Sequence, residues 1–316
     1  MKISTIFTIV LFLVVLLGSI AGTSYYYVQC NKVMTIEVYA HLESVSQSRA
    51  SHVGSFLEEQ RDKILIAATH EELTNEELKE IRDTNQEYTE IFVLDSFGKI
   101  VASSEESHVG DYKFNDDYFI EGKKGVCVKG VYFSEELGNM TLTVSAPQGK
   151  GNVLVSRIDI NLLNEIVLDK TGIGKTGEIY LINKEGYAIT PLFFVEDAVL
   201  KWKIDSVNSR NCLSGLDEAT IDGGMGIKHQ GHEAVEVYLG YMGQRVIGAH
   251  YPITELGWCL LTEINEEEVL GNQRVVFQKT ALTIIITLVI IITLIGFFIG
   301  KFIDKRVVLK KGKKRF

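Results

Sequence analysis

The sequence predicts an α+β fold: a long N-terminal helix, then two tandem and mostly antiparallel sheet units, all flanked by two membrane-spanning helices. Three observations predict it. Residues 6–28 and 280–300 are uncharged apolar runs. A strand-turn-strand segment recurs at an offset of 88 residues. Ahead of its first copy lies a stretch without proline whose apolar residues keep helical spacing.

Each apolar run reaches the ~20 residues a helix needs to cross the hydrocarbon core, so both read as transmembrane helices. For the first, a cleaved signal peptide competes, because Lys2 precedes it and Ser19-Ile20-Ala21 resembles a small-residue cleavage site. The run exceeds an h-region of about 7–15 residues, which favours the span. Residues 301–316 hold eight basic residues against one acid, Asp304. The positive-inside rule therefore puts them in the cytoplasm, with residues 1–5 on the same side. The expected location is the plasma membrane, crossed twice, with both termini cytoplasmic and the middle exported. Setting aside that tail and Lys2, 23 of the 32 basic residues face 40 of the 41 acids, a charge of about −17 before histidines. So acidic an exported segment repels nucleic acid and anionic lipid. It suits a small ligand, and a cationic one in particular.

The repeat sets the domain layout. Residues 90–98 read EIFVLDSFG and residues 178–186 read EIYLINKEG, pairing Phe92 with Tyr180, Asp95 with Asn183 and Gly98 with Gly186. In each, a strand enters a polar turn closed by glycine and leaves as a second strand, at 99–103 and 187–190. Residues 132–147 likewise parallel 238–252, and 151–159 parallel 257–265. Each unit thus holds about five strands. The units occupy 86–168 and 169–265.

Residues 29–85 form the helical stalk, with Ile36, Tyr39, Leu42, Val45, Val53, Phe56, Leu57, Ile64 and Leu65 as its apolar stripe. Packing on its own units explains the stripe, and its exposed flank also offers a homodimer surface. The acid-rich HEELTNEELKE at 70–80 reads as a solvated helical face or turn. Asn265 followed by Glu268 is a capping-box spacing that starts a linker helix, 266–279, leading into the second span.

Cys30, Cys127, Cys212 and Cys259 show no CxxC spacing, so no zinc or redox motif is legible. Export permits a bridge between Cys212 and Cys259, but Cys259 in GWCLLTEI reads first as a small buried hydrophobe. No cofactor is expected. Gly174-Lys175-Thr176 lacks the upstream glycine and the following helix of a phosphate loop. His229, His232 and Glu233 miss the helical i, i+4 spacing of a zinc protease and read as solvated loop residues. No nucleophile-histidine arrangement has supporting context, so an enzyme is not expected.

Residues 171–190 (TGIGKTGEIYLINKEGYAIT), 116–147 (DDYFIEGKKGVCVKGVYFSEELGNMTLTVSAP) and 240–264 (GYMGQRVIGAHYPITELGWCLLTEI) resemble the double Cache sensor domains of chemoreceptors and histidine kinases. The resemblance spans about residues 30–270. It implies two PAS-like subdomains, a membrane-distal one at 86–168 and a membrane-proximal one at 169–265, with a small-molecule pocket in the distal one. Residues 301–316 lack the early proline of a HAMP helix, so the expected output lies in a separate cytoplasmic signalling partner. The basic tail itself suits anionic lipid at ~1 kcal/mol per basic residue near the surface. The alternatives are a non-signalling surface solute-binding or adhesion protein, or a truncated receptor.

In amino-acid-sensing members the resemblance implies an Arg and aromatic residues on a short helix, a strand Tyr, and Asp residues for the ligand ammonium. Here Asp116 stands where the Arg would clamp a carboxylate, followed by Tyr118 and Phe119. Tyr132 is kept, Ser134 replaces an Asp, and Asp159 keeps an acid. An acidic, aromatic cup without a carboxylate clamp points to an amine rather than an α-amino acid. Asp159 and Asp116 also suit helix N-caps, which leaves both readings open.

Overall fold

The computed structural model describes residues 3–222 and 237–312; His229, His232 and Glu233 lie outside them. Two compact units emerge, one of residues 1–38 with 266–316 and one of Tyr39–Asn265. The first contains the apolar parts of two long helices, α1 (Ile3–Ala68) and α6 (Glu266–Gly312), each long and apolar enough to cross a membrane and neither buried there by protein. Within that unit the Tyr27 and Phe277 rings stack with centroids 4.4 Å apart.

In the second unit α1 buries Leu42, Ser46, Ala50, Val53, Phe56, Leu57, Gln60 and Ile64, a stripe stepping by three or four residues as one helix face requires. Each large apolar member contributes ~1.5–3 kcal/mol of transfer free energy. The stripe runs through Ser46 and Ala50 rather than Val45, because the helix approaches β9 closely enough for Ser46 Oγ to donate to Thr262 Oγ1 at 2.8 Å. Ile36 and Leu65, expected in the stripe, are exposed.

The stalk is not one helix. After Ala68 the amides of Thr69 and His70 bond only three residues back, and α2 (Asn75–Thr84) starts afresh at Thr74. Thr74 and Glu77 form a reciprocal capping box, which fixes where that helix begins.

The first sheet has order β2-β1-β5-β4-β3, with β1 Tyr88–Leu94, β2 Ile100–Ser103, β3 Cys127–Ser134, β4 Asn139–Gln148 and β5 Asn152–Asp159. All its pairings are antiparallel. Because side chains alternate, one face carries buried Ile91, Val93, Leu142, Val144, Leu154 and Ile158. The other carries Phe92, Leu94, Val153 and Val155, packed on Tyr118 and Phe119 of α3 (Asp117–Gly122).

A short helix, α4 (Ile160–Leu168), leads to the second sheet, ordered β6-β9-β8-β7 and also antiparallel. Its strands are β6 Glu178–Ile182, β7 Tyr238–Leu239, β8 Arg245–Ile253 and β9 Trp258–Asn265, backed by α5 (Val207–Asp222). The strand expected at 187–190 is reduced to isolated bridges. Thr190 Oγ1 takes the Leu181 amide, and Ala188 bonds to Trp202 and Leu200, so no continuous ladder forms.

The repeat is visible at its turns. Asp95 Oδ1 accepts from the Lys99 amide at 2.9 Å, and Asn183 Oδ1 from the Tyr187 amide at 2.8 Å. Gly98 (φ 80°) and Gly186 (φ 86°) close the two turns in the left-handed region that glycine enters without penalty.

One cysteine expectation is corrected: Cys212 of α5 and Cys259 of β9 are disulfide-bonded, with Cα atoms 6.1 Å apart. Cys259 is buried as the strand pattern indicates, but α5 packs directly on that strand and brings Cys212 against it.

Candidate functional site

Strand pairing lines up a polar row on the α3 face of the first sheet: Glu90 of β1, Arg157 of β5, Thr143 of β4 and Lys129 of β3. The next row holds Asp159, Thr141 and Tyr132. Helix α3 supplies Tyr118, and Asp116 precedes it.

Three of the six sequence-chosen residues meet. The Tyr118 hydroxyl donates to Asp116 Oδ2 at 3.1 Å, and Tyr132 Oη lies 2.8 Å from Thr143 Oγ1. The ammonium of Lys129 sits among them, 3.4 Å from Asp116 Oδ1, 4.1 Å from the Tyr132 ring centroid and 5.2 Å from that of Tyr118. Each cation–π contact contributes ~0.5–2 kcal/mol. Burial, then the Asp116 charge, pushes the Tyr118 phenol far above its usual range and keeps it a donor.

Phe119, Ser134 and Asp159 make other contacts. Phe119 belongs to the α3 core cluster and lies under Lys123. Ser134 accepts from the Leu137 and Gly138 amides in the β3–β4 turn, through Oγ and its carbonyl. Asp159 caps α4, taking the Asn161 amide at 2.9 Å. Asp116 makes no side-chain capping bond, so its carboxylate remains available to the cup.

Beside the cup lies a charged network absent from the sequence reading. Arg157, with its side chain 4% exposed, donates to Glu90 Oε2 at 2.7 Å and Glu136 Oε2 at 2.6 Å. Its guanidinium carbon is 5.1 Å from the Phe92 ring centroid, and its Nε has no hydrogen-bond partner among the described residues. Glu90 Oε1 also accepts from Ser103 Oγ at 2.9 Å and lies 2.8 Å from His108 Nδ1. Lys113 pairs with Glu136. Burial, and then repulsion from nearby Arg157, lowers the Lys113 ammonium below its usual range. The available signal was parity: Glu90, Lys129 and Arg157 fall on positions of one sheet face.

The second sheet repeats the position with different chemistry. Glu178 and Glu263 are direct cross-strand partners, as Glu90 and Arg157 are in the first sheet. Burial drives the Glu263 carboxyl up to about 7, with nearby Glu178 adding to the rise and hydrogen bonds from Tyr238 and Tyr180 opposing it. A carboxyl raised in the folded state holds its proton to higher pH than in the unfolded chain. Its stabilising contribution is complete below about 4.5 and is lost as pH rises through about 7, a change of ~3 kcal/mol. Urea midpoints of the native chain should therefore fall between pH 5 and 8. In Glu263→Gln that part of the slope should vanish, and an unchanged slope would refute the assignment.

The Cache domain model matches residues 31–273, and the chain belongs to that family. This is a family of ligand-binding receptor domains. No curated protein matches the chain by sequence. Among solved structures, it resembles the ligand-binding domain of the Campylobacter jejuni chemoreceptor Tlp3 in complex with 4-methylisoleucine. That match has a TM-score of 0.55 at 15% identity over 75% of this chain and 94% of that one. The ligand-binding domain of Pseudomonas fluorescens CtaA with L-isoleucine gives 0.50 at 11% identity, over 76% and 97%. That of Pseudomonas aeruginosa PctB with L-Arg gives 0.50 at 12%, over 77% and 94%. At these identities the likeness concerns the fold.

Proposed function

We propose that this protein is a membrane-anchored extracytoplasmic sensor that takes a small amine-like solute on the α3 face of its first sheet and signals to a separate cytoplasmic partner. One observation carries the reading: the Asp116, Tyr118 and Tyr132 cup already surrounds an ammonium, that of Lys129. A ligand amine takes the same place by displacing a side chain that is only partly buried. The chemoreceptor domains with amino-acid ligands support a small-molecule role on this fold.

A physical route toward the membrane helix supports the signalling half. Gly130, the neighbour of Lys129 on β3, lies against Trp258 at the start of β9, where an added Cβ would meet the indole at 3.3 Å. Strand β9 runs without interruption into α6. Displacing Lys129 thus changes a strand in contact with the segment that enters the terminal helix, and differential affinity for two such arrangements is what shifts a population. The basic segment at 301–316 is the surface for a cytoplasmic signalling protein or anionic lipid.

The test is a thermal-shift screen of the full chain in micelles against primary amines, amino acids and carboxylates. A specific amine at 100 times its Kd should stabilise the fold by ~2.7 kcal/mol. Asp116→Asn should abolish the effect and Lys129→Met should tighten binding. Stabilisation by carboxylates alone would assign Lys129 and Arg157 as anion ligands and overturn the amine reading.

A further inference from the structure

The second sheet departs from the first at one pair of positions. Where Glu90 of β1 faces Arg157 of β5, Glu178 of β6 faces Glu263 of β9. A guanidinium keeps its charge at every ordinary pH, so the first pair stays neutralised. The second pair has no such partner: Glu178 is 5% exposed and Glu263 3%, and neither forms an ion pair among the described residues. Burying a carboxylate without a counter-charge is costly, and such a group ordinarily neutralises itself by taking up a proton.

The packing around the pair is filled by neutral donors. The Tyr238 hydroxyl occupies the space over Gly248 and donates to Glu263 Oε1 at 2.9 Å. Tyr180 of β6 and Asn208 of α5 also hydrogen-bond Glu263. Tyr241 Oη donates to Glu178 Oε2 at 2.6 Å, and the Phe193 amide to Glu178 Oε1 at 2.5 Å. Further out, Lys170 lies near Glu178 with its ammonium over the Phe193 ring, Tyr39 of α1 lies near Tyr238, and His250 Nδ1 of β8 is 2.7 Å from Asn208 Oδ1. Burial holds the Tyr180 and Tyr238 phenols well above their usual range, so both keep their protons. It raises both carboxyls as well, Glu263 to about 7.

We propose that the second subdomain is a proton-responsive element, in which the Glu178–Glu263 pair holds a proton in acid conditions and its release loosens the pairing of β6 with β9. Ionising Glu263 sets two negative charges on neighbouring strands in a dry site, and the strands relieve the repulsion by parting at that end. The Glu263 carboxyl is raised in the folded state, so the pairing is firmest below the ordinary carboxylate range and weakens as pH rises through about 7. Half-buried Tyr241, bonded to Glu178, gives the proton a way in and out. Helix α6 starts at Glu266, three residues after Glu263, so the end that loosens is the one that enters the terminal helix. Acidity is thus a second input, acting on the end of β9 opposite to Trp258. That role as an input rests on the sensor reading; the loosening itself does not.

The test is hydrogen exchange on the full chain in micelles, without ligand, from about pH 5.5 to about pH 8.5, each rate divided by that of the unfolded peptide at the same pH. Protection in β6 and in the Glu263 end of β9 should fall about tenfold between about pH 6 and about pH 8, the factor for one unit beyond the carboxyl's midpoint. Glu263→Gln keeps the shape of the protonated side chain and should hold protection at its acid value throughout. Protection that does not change with pH in the native chain overturns the proposal. An equal fall in Glu263→Gln also overturns it and points to His250 instead. If that variant fails to fold, Glu178→Gln decides: without the neighbouring charge the fall should move to lower pH, and an unchanged midpoint overturns the pair as its origin. Because no ligand takes part, failure here leaves the amine site untouched, and failure of the amine site leaves this result standing.

Discussion

Replacing Arg157 with methionine is expected to destabilise the first subdomain by ~3–5 kcal/mol, because it leaves the buried Glu90 carboxylate without its guanidinium. Glu90 is 1% exposed and sits between β1 and β5, where water cannot replace the lost partner. Glu136 suffers less, being 29% exposed and still paired with Lys113. The asymmetry supplies the control. Glu90→Leu combined with Arg157→Met removes both buried charges, and hydrophobic replacement of a buried pair is often near neutral, so the double variant should recover most of the loss. Urea titration of the two variants measures this. A single variant costing under about 1 kcal/mol would show that Glu90 takes up a proton or relaxes toward solvent instead.

That pair also shows what was legible in the sequence. Strand-turn-strand units repeat because Asp95 and Asn183 perform one job, closing a turn by accepting a backbone amide four residues on, and such local chemistry survives in a residue string. Helix α1 was equally legible from its spacing, although its break before Thr74 was masked by helix-forming residues on both sides. Of the six candidate residues, Asp116, Tyr118 and Tyr132 come together around Lys129, and all three lie within one short stretch of sequence. Lys129 lies in the same stretch but carries no signal of its own, since a lysine in a strand ordinarily points to solvent; only the register, Lys129 opposite Thr143 and Thr143 opposite Arg157, turns it inward. Arg157 and Glu90 are 67 residues apart, and nothing local to either announces the other. Asp159 illustrates the opposite limit. Its carboxylate caps α4, and the sequence alone offers no means of ranking that role against a ligand contact.

Removing the Cys212–Cys259 bridge should lower stability by ~4 kcal/mol, the chain-entropy value for residues 47 apart. For a domain of this size that corresponds to a fall in Tm on the order of 10 °C. The bridge ties α5 to β9 inside the cluster of Tyr180, Ile182, Leu192, Ile204 and Leu261, so the loss should concentrate in the second subdomain. Paired Cys212→Ala and Cys259→Ala replacements, followed by hydrogen exchange, would show this as faster exchange in β6, β8 and β9 with the first sheet little changed. The same experiment bears on signalling. Trp258 precedes Cys259 and touches Gly130 of the first sheet, while α6 follows the far end of the same strand. If β9 relays displacement of Lys129 toward the membrane helix, the unbridged chain should still bind an amine in the Asp116 cup, but binding should no longer slow exchange at the start of α6. Slowing that persists without the bridge would mean that the relay does not depend on a strand held rigid by α5.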